Sequence, residues 1–337
     1  MLFRIPLIVL FGLLSAILPV NGQSAVQAQQ PTTQNRDVQD DVLRVETDLV
    51  TTLFTALDSK RRFVTTLRGE DVRILEDGKP QETSLFERET DRPLTMVVLV
   101  DTSRSQERTL PEEKTAAKLF IDAVLRPEKD LVAVVSFTGG PKVESGGLTN
   151  NLAVIRRAID RMEVEFPPEG CEQGIAADID PRCWTGIWDS VIGSVNGLLS
   201  STRKGSRRVI VVLTDGDDTS SKASREDAIE MALRNDVVIY GIGIGDPELY
   251  RIEKGALTKL TEKTGGRAFF PRESTELEAA FSQIEDEMRS QYAIAYVPKN
   301  RTRDGAFRKL KIEVVNREWR EQKVKLIHRP GFYAKQN

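Results

Sequence analysis

One run of sequence limits the possible folds more than any other: Leu94-Thr95-Met96-Val97-Val98-Leu99-Val100, broken off by Asp101-Thr102-Ser103-Arg104-Ser105. A strand with one wet face alternates apolar and polar residues. This one does not, so it reads as a strand buried on both faces at the centre of a parallel sheet. Helices must then cover both faces, which makes the chain α/β. The run stops in one carboxylate and two hydroxyls at alternate positions. In open α/β sheets, ligands bind beyond the C-terminal ends of the strands. An all-oxygen donor set, with no Cys or His nearby, suits Mg²⁺, Mn²⁺ or Ca²⁺ rather than zinc. A strand running into an ordinary polar turn is the plainer reading of these few residues. The rest of the chain decides between them.

Beyond Ser105 the chain alternates helix and strand. Helices are expected at Pro111 to Leu125, Asn150 to Met162, Gly186 to Leu199, Ser224 to Asn235, Lys254 to Lys263 and Thr275 to Ser290. Strands are expected at Leu131 to Phe137, Arg208 to Leu213, Val237 to Ile244 and Ala268 to Phe270. The first helix should turn Ala116, Leu119, Phe120, Ala123 and Val124 inward. The expected architecture is a doubly wound, mostly parallel, Rossmann-like sheet with flanking β-sandwich-like segments.

Those flanks read as short strands. Before Leu94 come Leu43 to Glu46, Leu49 to Leu57, Val72 to Glu76 with its Asp77-Gly78 turn, and Ser84 to Glu87. After Gln291 come Tyr292 to Val297, Arg308 to Val315 and Gln322 to His328. Each flank is too small to bury a sound core alone, so the two are expected to pack into one domain. The chain divides as 1–28 signal peptide, 29–40 linker, 41–92 N-terminal β module, 93–290 α/β domain and 291–337 C-terminal β segment.

The first residues read as an address. Arg4 precedes an apolar stretch, Pro6 to Val20, and then small polar residues with cleavage points after Gly22 or Ala28. An uncleaved anchor is the alternative, although the run is short for a bilayer span. Export to the periplasm or the medium is the expected fate, with no membrane insertion after signal removal. Gln23 to Asp37 is a polar stretch without periodicity. The two cysteines, Cys171 and Cys183, suggest one disulfide in an exported chain, with reduced buried thiols as the alternative. The chain has 48 basic and 51 acidic residues and no basic stripe, so nucleic acid is not an expected partner. It has one histidine, His328, near the C-terminus. That count leaves little room for zinc sites or for histidine-based nucleophilic catalysis.

With these motifs in order, the region from about Leu94 to Arg289 resembles a von Willebrand factor type A domain. The resemblance rests first on Asp101-x-Ser103-x-Ser105 after the first central strand. It rests also on Thr185 before a helix in Trp184-Thr185-Gly186, and on Asp215 in the Thr214-Asp215-Gly216 turn. Val134 to Phe137, Tyr240 to Gly245 and Thr264 to Arg267 add support. The whole chain is similar to an exported bacterial group that carries this domain between β segments. Many members of the family have two glycines before the threonine. Here Cys183-Trp184 stands there, preceded by an insertion that holds both cysteines with Glu169, Glu172, Asp178 and Asp180.

The resemblance implies a metal-ion-dependent adhesion site of Asp101, Ser103, Ser105, Thr185 and Asp215. Ser103, Ser105 and Thr185 would bond the ion directly, and Asp101 and Asp215 directly or through water. Neutral hydroxyls leave a divalent cation under-neutralised, so an open position can take a carboxylate. The implied partner is a protein offering an acidic side chain, and the implied ion is Mg²⁺, with Mn²⁺ or Ca²⁺ as substitutes. Asp217 and Asp218 are expected as exposed turn residues. The competing reading is a Mg²⁺-dependent hydrolase of the aspartyl phosphatase kind. Such enzymes typically carry a second carboxylate two positions after the first, where this chain has Ser103, and no Walker loop is present. The sequence therefore reads as a non-enzyme. A third reading is a scaffold whose metal is structural or absent. The ligand, the oligomeric state and the role of the insertion stay open.

Overall fold

The computed structural model describes residues 49–88, 91–171, 180, 183–202, 205–245 and 252–336. The signal peptide, the linker, the strand expected at Leu43 to Glu46, and Glu172 and Asp178 of the insertion lie outside the described residues. Among those described, no helix is long and apolar enough to cross a membrane.

In chain order the strands are β1 Val50–Leu57, β2 Val72–Glu76, β3 Lys79–Pro80, β4 Thr83–Arg88, β5 Leu94–Asp101, β6 Leu131–Phe137, β7 Pro141–Val143, β8 Arg207–Thr214, β9 Val237–Gly243, β10 Ala268–Phe269, β11 Tyr292–Tyr296, β12 Phe307–Val314, β13 Lys325–His328 and β14 Gly331–Tyr333. The helices are α1 Leu110–Val124, α2 Leu152–Arg161, α3 Ile187–Ser194, α4 Arg225–Arg234, α5 Lys254–Thr264, α6 Ser274–Arg289 and α7 Arg317–Glu321.

The central sheet runs β10-β9-β8-β5-β6-β7. Its pairings are parallel except for the antiparallel edge strand β7. All eight residues of β5 are buried. Their side chains serve two cores in turn. Met96, Val98 and Val100 face α1, α2 and α6, while Val97 and Leu99 face α3, α4 and α5. The doubly wound α/β architecture is therefore present, and it places the ends of β5 and β8 side by side at one edge.

Two helices depart from expectation. In α1, Leu119 is 53% exposed and Ala123 is exposed, while Ala117 and Ile121 are buried. The buried stripe is 113-116-117-120-121-124, with Ala117 and Ile121 in the places expected of Leu119 and Ala123. The short helix α7 occupies part of the region between β12 and β13, so β13 begins at Lys325 instead of Gln322. Asn316 caps α7 by accepting from the Glu318 amide at 2.9 Å. Lys323 then takes a positive φ of 56° that ends the turn. Gly265, at φ 92°, closes α5 in the left-handed conformation that favours glycine.

Two further four-stranded sheets, β13-β1-β11-β4 and β14-β12-β2-β3, enclose a third core of Phe54, Ile74, Tyr292, Ile294, Tyr296 and Ile312. Each sheet takes strands from both sides of the central sheet in sequence. Val50 lies opposite Tyr296, and Ile74 opposite Ile312. A buried polar chain runs where α6 passes into β11. Glu287, 0% exposed, pairs with Arg267 at 3.2 Å and accepts from the Tyr240 hydroxyl at 3.3 Å. Arg207 donates to the Gln291 carboxamide at 2.7 Å and to the Met288 carbonyl at 2.5 Å.

Candidate metal centre

The loops after β5 and β8 meet because the two strands are neighbours. Asp101 ends β5 with 0% exposure. One of its oxygens accepts from the Ser103 amide at 2.9 Å, the other from the Thr214 hydroxyl at 2.7 Å. Ser103 Oγ and Ser105 Oγ lie 3.0 Å apart. The Ser105 hydroxyl also hydrogen-bonds Asp215, which is 4% exposed. Four of the five candidate residues thus form one hydrogen-bonded cluster. The carboxylates are buried within it, and both serine hydroxyls are half-buried towards the surface.

Thr185 arrives from a third segment. Its amide donates to Thr219 Oγ1 at 2.8 Å, and its carbonyl accepts from the Thr219 and Ser220 amides at 2.8 and 3.1 Å. It is laced to the same loop that carries Asp215. Gly186 comes next because a Cβ there would lie within 2.9 Å of the Gly139 carbonyl oxygen. That close approach is used: the Gly186 amide donates to the Thr138 carbonyl at 2.6 Å.

Asp217 is exposed, as expected of a turn residue, but Asp218 is not. It is half-buried, and Oδ1 accepts from the Ile187 and Trp188 amides at 2.6 and 3.3 Å and from the Ser221 hydroxyl at 2.6 Å. Asp218 therefore supplies the missing cap of α3 from a distant loop and fixes the helix that Thr185 precedes. Asp189 returns the contact by accepting from the Lys222 and Ala223 amides. Nothing local marks Asp218 as a cap, since its partners lie about thirty residues upstream. Sequence reasoning also passes over Gln106 and Glu113. Gln106, 0% exposed, donates to Ser105 Oγ at 3.3 Å and accepts from Thr109 Oγ1 at 2.9 Å. Glu113 is 1% exposed on the apolar stripe of α1, three residues before Ala116. A charged residue in such a stripe is a readable signal.

The electrostatics bear on whether an ion fits. Burial, and then the neighbouring charge of Asp215, pushes the Asp101 carboxyl up to about 7. Burial raises Asp215 as well. Two carboxylates forced together out of water favour protons or a cation. The donor set fits a hard divalent cation: two carboxylates and three hydroxyls, all oxygen. Among the described residues no group of three or more His, Cys, Asp or Glu is placed to hold a metal ion. The hydroxyls would have to complete the coordination.

Cys171 and Cys183 are joined by a disulfide that closes the insertion. The insertion starts against the centre, where the Glu165 amide donates to the Thr102 carbonyl at 2.8 Å, and it ends at Thr185. Phe166 and Trp184, at its two shoulders, are 52% and 37% exposed. His328 lies elsewhere. Its Nε2 accepts from the Ile312 amide at 3.1 Å, which leaves the proton on Nδ1 to donate to the Arg329 carbonyl at 2.7 Å. Burial lowers its affinity for a second proton.

Comparison with known proteins gives a family match. Residues 185–283 match the family model of the von Willebrand factor type A domain. No curated protein matches the chain. Among solved structures, the chain is similar to the conserved hypothetical protein BatB from Bacteroides thetaiotaomicron, at 17% identity and a TM-score of 0.44, over 58% of this chain and 98% of that one. It is also similar to a von Willebrand factor type A protein from Catenulispora acidiphila, at 15% identity and a TM-score of 0.47, over 86% and 74% of the two chains. A third is proximal thread matrix protein 1 from the mussel byssus, with zinc in its metal-ion-dependent adhesion site. It is 19% identical at a TM-score of 0.47, over 62% of this chain and 48% of that one.

Proposed function

We propose that this chain, which carries a von Willebrand factor type A domain, is an exported, metal-dependent protein-binding module. Asp101, Ser103, Ser105, Thr185 and Asp215 are its metal-binding residues, and Mg²⁺ or Mn²⁺ is the ion. A divalent cation bound there would supply an acceptor for an aspartate or glutamate side chain of a partner. The observation that supports this best is the cluster itself, in which two buried carboxylates stand behind half-buried hydroxyls at the ends of β5 and β8.

The chain's own residues divide the work. Asp101 and Asp215 contribute charge from below, Ser103 and Ser105 present neutral oxygens outward, and Asp218 holds the helix behind Thr185. Phe166 and Trp184 offer apolar surface beside the centre, suited to a partner whose acidic residue has an apolar neighbour. The binding reading is preferred to the hydrolytic one because Ser103 stands where an aspartyl phosphatase typically carries its second carboxylate. Export rests on the charged and apolar pattern of the first residues. In the organisation we propose, the domain at 93–290 is inserted between strands of one β-sandwich built from 41–92 and 291–337. The shared sheets support it.

Calorimetric titration with Mg²⁺ and Mn²⁺ tests the centre. Wild type should bind one ion and Asp101→Ala none, and a wild type that binds neither would refute the site. Capture of envelope proteins by the immobilised chain, lost in chelator and in Asp101→Ala alike, tests the partner.

A further inference from the structure

Glu113 is the least explained group near the candidate centre. It sits in the first turn of α1 with 1% exposure, and neither carboxylate oxygen is in good hydrogen-bond geometry with a partner, the nearest polar side chain acting on it being Thr109. An acidic residue in a first helical turn ordinarily serves the helix dipole at the surface. Its neighbour Glu112 is already there, exposed and accepting from the Ser274 hydroxyl at 2.6 Å. Burying a second carboxylate without a partner is costly, so a purely structural Glu113 would be a poor choice at an apolar position.

Its surroundings connect it to the centre. A part-buried ladder descends from the donor loop: Ser105 Oγ accepts from Gln106, Gln106 accepts from Thr109, and the Thr109 side chain in turn acts on the Glu113 carboxyl, one helical turn on. Burial above all pushes the Glu113 carboxyl up to about 8; the Thr109 side chain opposes that shift, and the charges of Asp101 and Asp215 add to it. Among the described residues no three of His, Cys, Asp and Glu are grouped to hold an ion, so Glu113 does not join Asp101 and Asp215 as a direct ligand.

We propose that Glu113 is a positioning residue of the metal centre. It is a third carboxylate, set behind Asp101 and Asp215, whose charge helps retain the cation and whose burial is compensated when the cation is bound. This inference rests on the metal-binding reading above.

The test uses the full chain at fixed pH, with Mn²⁺ as the probe. Mn²⁺ affinity is measured by calorimetry, and the melting temperature is measured in chelator. Glu113→Gln should weaken Mn²⁺ binding about tenfold, the scale seen when groups behind metal ligands are altered. In chelator it should melt at or above the wild-type temperature, because a buried unpaired acid has been removed. Glu113→Asp, which keeps the charge, should stay within about threefold of wild type, and the surface control Glu112→Gln within about twofold. Wild-type Mn²⁺ affinity in Glu113→Gln would overturn the proposal. So would equal losses in Glu113→Gln and Glu113→Asp, which would mark a packing role. A wild type that binds no Mn²⁺ would instead overturn the metal-binding reading on which the proposal stands.

Discussion

Replacing Asp101 by Asn should stabilise the metal-free protein at pH 8 while abolishing its stabilisation by metal. In the fold this carboxyl titrates at about 7, against 3.8 for an ordinary one, because it is buried and then because Asp215 is close. Each pH unit between those values is worth about 1.4 kcal/mol, so ionised Asp101 costs the fold about 4 kcal/mol above pH 7. The folded state holds this proton more tightly than the unfolded chain does. Stability therefore falls as pH rises from about 4 to about 7, and this contribution is flat above. Asparagine carries no such charge. It keeps an acceptor for one of the two donors that Asp101 satisfies and leaves the other poorly paired, at a cost of about 1 kcal/mol. The net gain should be about 3 kcal/mol at pH 8 and under about 1 kcal/mol at pH 5. Urea denaturation in chelator at the two pH values measures it. Adding Mn²⁺ at a hundredfold its dissociation constant should stabilise wild type by about 2.7 kcal/mol and the variant not at all. A chelated wild type as stable at pH 8 as at pH 5, with no gain in the variant, would refute this placement of Asp101, as would a variant that still responds to Mn²⁺.

Three other substitutions have outcomes set by the geometry. Gly186→Ala forces a Cβ to within 2.9 Å of the Gly139 carbonyl oxygen; it should cost about 1–3 kcal/mol and weaken Mn²⁺ binding, read by melting and calorimetry. Asp218→Ala removes the cap of α3; about 1–2 kcal/mol of stability should go, with reduced Mn²⁺ affinity, although Asp218 is not among the proposed metal-binding residues. Arg267→Met leaves Glu287 buried without its cation and should destabilise by about 3–5 kcal/mol, with Mn²⁺ affinity per folded molecule unchanged.

The α/β architecture is legible because β5 carries it in composition alone: eight buried residues cannot alternate with water. Helix positions are legible from their apolar residues, but the face that α1 buries is not. Ala116, Phe120 and Val124 belong to either stripe, since successive residues turn by about 100° and those four apart lie nearly in line, and alanine marks either face equally well. That is how Ala117 and Ile121 exchange places with Ala123 and Leu119. The short helix α7 escapes notice because its start signal, Asn316, is subordinate to the apolar pattern further on. At the candidate centre the sequence names residues by motif, and the structure clusters Asp101, Ser103, Ser105 and Asp215 and ties Thr185 to the same loop. Sequence cannot name Asp218, whose role depends on a helix terminus far away in the chain. Glu113 is within reach of sequence reasoning, provided the charged member of the α1 stripe is given the weight of an anomaly.

The pairing of β1 with β11 sets an order in which the molecule can be made. Val50 leaves the ribosome long before Tyr296, its partner across the sheet. Until then β1 and β2 lack their long-range partners β11 and β12 and each has an open edge, the state most exposed to wrong pairing. Closing so long a loop from a flexible chain carries an entropic cost that slows folding. Formation of the central sheet changes that arithmetic. It gathers the intervening residues and brings Leu94 and Arg207, register partners at the base of β5 and β8, close to Gln291 through the Arg207 side chain. The central sheet thus acts as an assembly jig for its neighbours. Variants that slow its folding should therefore be recovered as aggregates joined through β1 and β2, even when their final stability is unchanged.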